Sequence, residues 1–139
     1  MDDDARRQFG DARVARLATT DADGRPHLVP IVFVLVGDLV WSAVDGKPKT
    51  TRALKRLANI TAHPHVSLLV DHYDDDWTQL WWVRADGTAQ VVEVGAPGTE
   101  AALDALAAKY PQYVASPPPG PLLRVAVTRW SAWQHSPFS

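Results

Sequence analysis

The chain has 139 residues, 46% hydrophobic and 22% charged, a length and composition that suit one folded domain spanning residues 1–139 and exclude a collagen or a disordered chain. Its formal net charge of −2 excludes a protein whose whole surface serves nucleic acid, so any anion site must be local. The absence of cysteine excludes a disulfide framework, a thiolate nucleophile and any metal site built on sulfur.

Residues 2–10 read as a short helix, with Asp2, Asp3 and Asp4 at the end where the helix dipole favours negative charge. This opening lacks an apolar targeting stretch, so a cytoplasmic location is expected. Residues 13–20 and 25–36 read as two strands joined by the turn Asp21-Ala22-Asp23-Gly24. The second contains the longest apolar run, 28–36, which Pro30 interrupts and which falls well short of the roughly 20 residues that span a bilayer. Gly37-Asp38 forms a tight turn into a third strand, 39–44.

Asp45-Gly46-Lys47-Pro48-Lys49 breaks that strand, and Thr50 or Thr51 caps a helix that runs to Ala62, stopping before Pro64. Its apolar stripe is Ala53, Leu57 and Ile60, and Arg52, Lys55, Arg56 and Asn59 share the opposite side. A strand over 66–73 and a polar loop over 74–77 follow. Asp86-Gly87 then predicts a hairpin between strands 78–85 and 88–94. Residues 99–109 form a helix that Pro111 stops, 116–121 a stiff proline-rich connector, and 122–134 a last strand. The sum is a mainly β (α+β) domain, a closed or nearly closed barrel of six to seven antiparallel strands with two to three peripheral helices.

Two features carry chemistry. Lys47, Lys49, Arg52, Lys55 and Arg56 crowd five cations into ten positions without an acid. Placed at the first turns of a helix, they suit a phosphate or carboxylate, the plain alternative being a solvated helix face. Six tryptophans form the second feature. Trp81 and Trp82 must face opposite sides of a strand, so one serves the core and the other a flat ring or a subunit interface, and at least half of the six are assigned to core packing. The five histidines have no helical i, i+4 pair, and Asp74, Asp75 and Asp76 lack the alternation of a calcium loop, so no metal is expected. No serine-hydrolase elbow or phosphate-binding glycine loop occurs.

The segment Ala15-Arg16-Leu17-Ala18-Thr19-Thr20-Asp21-Ala22-Asp23-Gly24-Arg25-Pro26-His27 resembles the opening hairpin of the pyridoxamine 5′-phosphate oxidase-like proteins. Lys55 to Asp71 is similar to the helix and strand after their cofactor phosphate site, and Asp76-Trp77 with Val83-Arg84-Ala85-Asp86-Gly87-Thr88-Ala89 to their next hairpin. The resemblance implies the FMN-binding type of split β-barrel. Within the group, Asp45-Gly46-Lys47-Pro48-Lys49 and Trp81-Trp82-Val83-Arg84 resemble the actinobacterial branch that uses the deazaflavin coenzyme F420. That implies an F420-dependent oxidoreductase passing a hydride to a small apolar or aromatic substrate, working as a homodimer with cofactor at the subunit interface.

The alternatives are an FMN enzyme on the same barrel and a protein that binds F420 without turnover. By position, Lys47, Lys49, Lys55 and Arg56 would hold the cofactor's phosphate and acidic tail, with Asn59 assisting. Val29, Pro30, Ile31 and Val32 with Trp41, Ser42, Ala43 and Val44 would form the ring platform. Trp77 and Trp133 would close the cleft from the partner chain. No residue must be an acid or base, His72 and Tyr73 being the weak candidates for a proton. The oxidase's Arg-Gln-Val-Arg stretch is replaced by Trp81-Trp82-Val83-Arg84, which speaks against pyridoxamine oxidation.

Overall fold

The computed structural model describes residues 3–44 and 51–135, the side chains of residues 51–54 excepted. Four helices, α1 (Asp3–Asp11), α2 (Thr51–Ala62), α3 (Thr99–Lys109) and α4 (Gln112–Ala115), accompany seven strands among the described residues. The strands are β1 (Ala15–Thr20), β2 (Pro26–Ile31), β3 (Val34–Val36), β4 (Leu39–Ala43), β5 (His65–His72), β6 (Trp81–Val92) and β7 (Leu122–Gln134). All pair antiparallel in one sheet of order β2-β1-β5-β6-β7-β4-β3. The expected antiparallel barrel is thus present, as a sheet curled on itself. The single turn α4 has no counterpart in the expected elements.

Curling follows from the two edge strands being consecutive in the chain: only Val32 and Phe33 separate β2 from β3. The expected single strand over 25–36 is therefore two strands at opposite edges. The crossing breaks the ladder, and side chains take over its backbone groups. Ser42 Oγ donates to Val32 O at 2.7 Å, Phe33 N donates to Tyr110 Oη at 3.1 Å, and Phe33 O accepts from Tyr110 Oη at 2.9 Å. Without them the buried peptide would be unsatisfied.

The second correction is the predicted hairpin at Asp86-Gly87. Residues 81–92 form one continuous strand, flanked by β5 (Ser67 opposite Asp86) and β7 (Ala126 opposite Thr88), with a bulge at Asp86/Gly87. Gly87 lacks the positive φ that a two-residue hairpin demands. Glycine is needed there because a Cβ would lie 2.2 Å from Ala126 O of β7. The strand count survives because one expected strand divides while two others fuse.

Inward residues alternate along β5 and β6 and enclose the main core. Leu17, Phe33, Val40, Leu68, Val70 and Val83 pack there with Phe9 of α1 and Ile60 of α2. Fully burying each large side chain contributes about 1.5–3 kcal/mol. A second cluster forms where Trp41, Ala43, Val92 and Leu122 meet Ala102, Leu106 and Tyr110. Trp41 is buried, and Trp81 and Trp130 pack against the main core, so half of the six tryptophans are core residues.

Candidate functional site

The site begins with the turn between β1 and β2. Asp21 Oδ1 accepts from the backbone N of Asp23 and Arg25, both at 2.9 Å, and Gly24 supplies the positive φ of 83° that closes the turn. The Arg25 amide, with help from the charges of Lys55 and Arg25, holds the Asp21 carboxyl below the usual carboxylate range. This turn sets the register, placing Thr19 opposite His27 and Leu17 opposite Val29. Helix α2 then docks onto the hairpin through its buried Asn59, whose Nδ2 donates to Thr19 Oγ1 at 3.1 Å.

Between helix and hairpin lies a cavity of about 390 Å³, walled by Lys55, Arg56 and Asn59 on one side and by Thr19, His27, Leu28, Val29 and Pro30 on the other. Burial lowers the pKa of the Arg56 guanidinium, and its buried Nε has no hydrogen-bond partner among the described residues. A buried, unmatched donor of this kind is costly unless something accepts from it. The donor set here, an ammonium, a guanidinium and an amide, matches a phosphate or carboxylate.

A second cavity of about 590 Å³ opens on the outer face of β1, β5 and β6, sharing Leu28 with the first. Its walls include Ala18, Leu69, Tyr73 and Trp82, and its charged members are already paired. Arg16 Nη1 bonds Asp71 Oδ1 at 2.8 Å, and Asp86 takes Ser67 Oγ at 2.6 Å and Arg84 Nε at 3.3 Å. Trp82 thus lies on the outer face while its neighbour Trp81 packs inward, as the strand period requires.

Of the site residues inferred from sequence, Val29, Pro30, Lys55, Arg56 and Asn59 meet in the first cavity. Ile31 and Val44 are buried in the main core, and Val32, Trp41 and Ala43 pack in the cluster beneath α3. Ser42 is buried and committed to Val32 O, so these six do not reach the cavity. Trp77 is 70% exposed on a single 3₁₀ turn, and Trp133, 44% exposed, lines a groove against α1. Lys47 and Lys49 lie outside the described residues. His72, the last residue of β5, and Tyr73 just after it are exposed, with only Tyr73 reaching the outer cavity.

Thr19, His27 and Leu28 line the cavity although sequence reasoning did not select them. The signal was available: once the turn at 21–24 is set, antiparallel pairing puts His27 across from Thr19. Among the described residues no three His, Asp or Glu side chains gather as a metal site, and no helix is long and apolar enough to cross a membrane.

A profile described as pyridoxamine 5′-phosphate oxidase matches residues 1–134. The chain belongs to the pyridoxamine 5′-phosphate oxidase family. Solved structures of this family's fold resemble it closely. A conserved hypothetical protein of Mycobacterium tuberculosis superposes with a TM-score of 0.72 at 22% identity, covering 97% of this chain and 86% of that one. The heme storage protein HutZ of Vibrio cholerae gives 0.72 at 16% identity, covering 95% and 93%. A FAD-binding protein of Mesorhizobium loti gives 0.70 at 19% identity, covering 93% and 91%. At such identities the likeness establishes the fold, which serves both flavin and heme binders. No curated protein matches the chain in sequence.

Proposed function

We propose that this member of the pyridoxamine 5′-phosphate oxidase family is an oxidoreductase that uses coenzyme F420 and hands a hydride to a small apolar or aromatic molecule. The observation that carries the reading is the α2 cavity, where the buried Arg56 Nε, beside Lys55, lacks an acceptor among the described residues. A phosphate-bearing cofactor fits that donor set. When bound, the deazaflavin supplies the two-electron chemistry, and the chain supplies binding, orientation and exclusion of water.

Lys55 and Arg56 neutralise the phosphate, Lys47 and Lys49 are assigned to the acidic tail on their charge in the sequence alone, and Asn59, steadied by Thr19, holds the helix at the right distance. Val29, Pro30 and Leu28 present an apolar wall to a ring system. Leu28 continues that wall into the outer cavity, which is the natural place for an apolar substrate. No side chain in the α2 cavity is required as a general acid, since solvent can supply the proton.

The same reading includes a homodimer in the cytoplasm, with the exposed Trp77 and Trp133 available to a second copy. Trp41, Ser42, Ala43 and Val44 remain relevant only through the strand they support. The FAD-binding relative in fold favours FMN as the second cofactor to try, and the heme storage protein favours binding without turnover as the second activity.

The test is a fluorescence titration of the purified protein with F420 and, separately, with FMN. Saturable F420 binding tighter than FMN supports the proposal, tighter FMN binding transfers it to the flavin enzyme, and binding of neither removes it. Arg56→Ala and Lys55→Ala are each expected to weaken binding about tenfold or more, the size of a lost charge-assisted hydrogen bond.

A further inference from the structure

His27 belongs to the α2 cavity by position, yet the reading above gives it no task. It sits on β2 opposite Thr19, and Thr19 is joined to Asn59 of α2, so the imidazole shares the cavity with Lys55 and Arg56 of that helix. It is the one histidine among the residues that line the cavity. A neutral imidazole offers an anion one N–H donor and one repelling lone pair, whereas an imidazolium offers two donors and a charge.

The groups around it constrain how it responds. Lys55 and Arg56 line the same cavity from α2, and Asp21 and Arg25 stand at the adjoining turn. Asp21 Oδ1 accepts from two backbone amides of its own turn, which ties that carboxylate to the turn. With the cavity empty, a protonated His27 faces two cations. With an anion among the three, each positive group is matched, and the bound anion draws a proton onto the ring. Linkage makes the effect mutual: whatever the anion does for protonation, protonation does for the anion.

We propose that His27 is a specificity-determining residue of this cavity, coupling the capture of a phosphate-class anion to the uptake of one proton. The inference rests on the cavity being the anion site of the proposed cofactor, and its consequence is proton-linked loading. The cofactor is held more tightly as pH falls through the histidine range, and released more readily as it rises.

Sulfate is the probe of choice because its charge does not change between about pH 5 and 9, so the pH dependence belongs to the protein. Calorimetric titration of the full chain is expected to show sulfate dissociation constants rising about tenfold from about pH 5.5 to 8, the effect of a one-unit coupling. Titrations in buffers of different ionisation enthalpy are expected to report uptake of about half a proton at intermediate pH, the maximum that a one-unit coupling allows.

His27→Asn is expected to bind with the weaker constant of high pH at every pH, and His27→Lys to bind tightly without pH dependence. Equal wild-type constants at the two pH values, or a wild-type pH slope retained in His27→Asn, overturns the inference. The two proposals fail separately. If F420 and FMN do not bind while sulfate shows the His27-dependent slope, the cofactor reading falls and the proton coupling stands. If the cofactors bind and the slope is absent, the reverse holds.

Discussion

Two cations sit in comparable places in this molecule and have different fates. Lys109, at the end of α3, donates from Nζ to Gly10 O and Phe33 O, both at 2.9 Å, and lies 3.9 Å from the centre of the Phe33 ring. Arg56, in α2, has a buried Nε that meets no acceptor among the described residues. Where α3 meets the sheet, protein carbonyls complete the cation's bonding, and the cation holds the β2–β3 crossing in place. Where α2 meets the sheet, the bonding is left open around a cavity. Polar groups that the fold satisfies serve its stability, and an unmatched one beside a cavity is open to a ligand.

The sharpest way to break the contrast is Tyr110→Phe. The hydroxyl has one proton to share between Arg13 O and Phe33 O and accepts from Phe33 N, so its loss strands a buried amide. A destabilisation of about 2–3 kcal/mol is expected, read as a lower urea midpoint with unchanged slope. Lys109→Met is expected to cost less, about 1–2 kcal/mol, because Phe33 O keeps its Tyr110 partner and burial of the charge is relieved.

The pH dependence sharpens the same point. Burial lowers the Lys109 pKa from 10.5 to about 8, so the unfolded chain holds that proton more tightly than the fold does. The penalty is fully present below about pH 8 and fades as pH rises toward 10.5, so stability should increase across that window. Burial raises the Tyr110 phenol, which acts in the opposite sense once unfolded tyrosine ionises near pH 10. Urea midpoints compared at about pH 7.5 and 9.5 should therefore rise in the wild type, by on the order of 1 kcal/mol after screening, and stay flatter in Lys109→Met.

Arg56→Met is the smallest expected change in stability and the complement of the others. Removing an unmatched guanidinium should leave the midpoint within about 0.5 kcal/mol of wild type while anion affinity falls. A large loss of stability would place Arg56 with Lys109 as a structural cation and erase the contrast.

Much of this was legible in the residues. The helix ending before Pro64, the turn at Asp21–Gly24 and the strand over 122–134 are local signals, set by backbone preferences that a few neighbours decide. Lys55, Arg56 and Asn59 announced themselves by charge and helical spacing, and the structure brings them together. That Trp41 and Ala43 lie apart from this cavity was not legible, because their burial depends on α3, some sixty residues further along the chain.

The division follows from range. By itself the sequence determined the mainly β class, the helix positions, the first hairpin and the cationic face of α2, all properties of short windows. Only the tertiary structure decided that Asp86-Gly87 bulges instead of turning, because β5 and β7 occupy both flanks and the glycine yields space to Ala126 O. It alone decided that Val32 and Phe33 cross the barrel, since side chains far away in sequence satisfy their peptides. And it alone put His27 beside two cations of another element, because antiparallel register, not sequence proximity, chooses who shares a cavity.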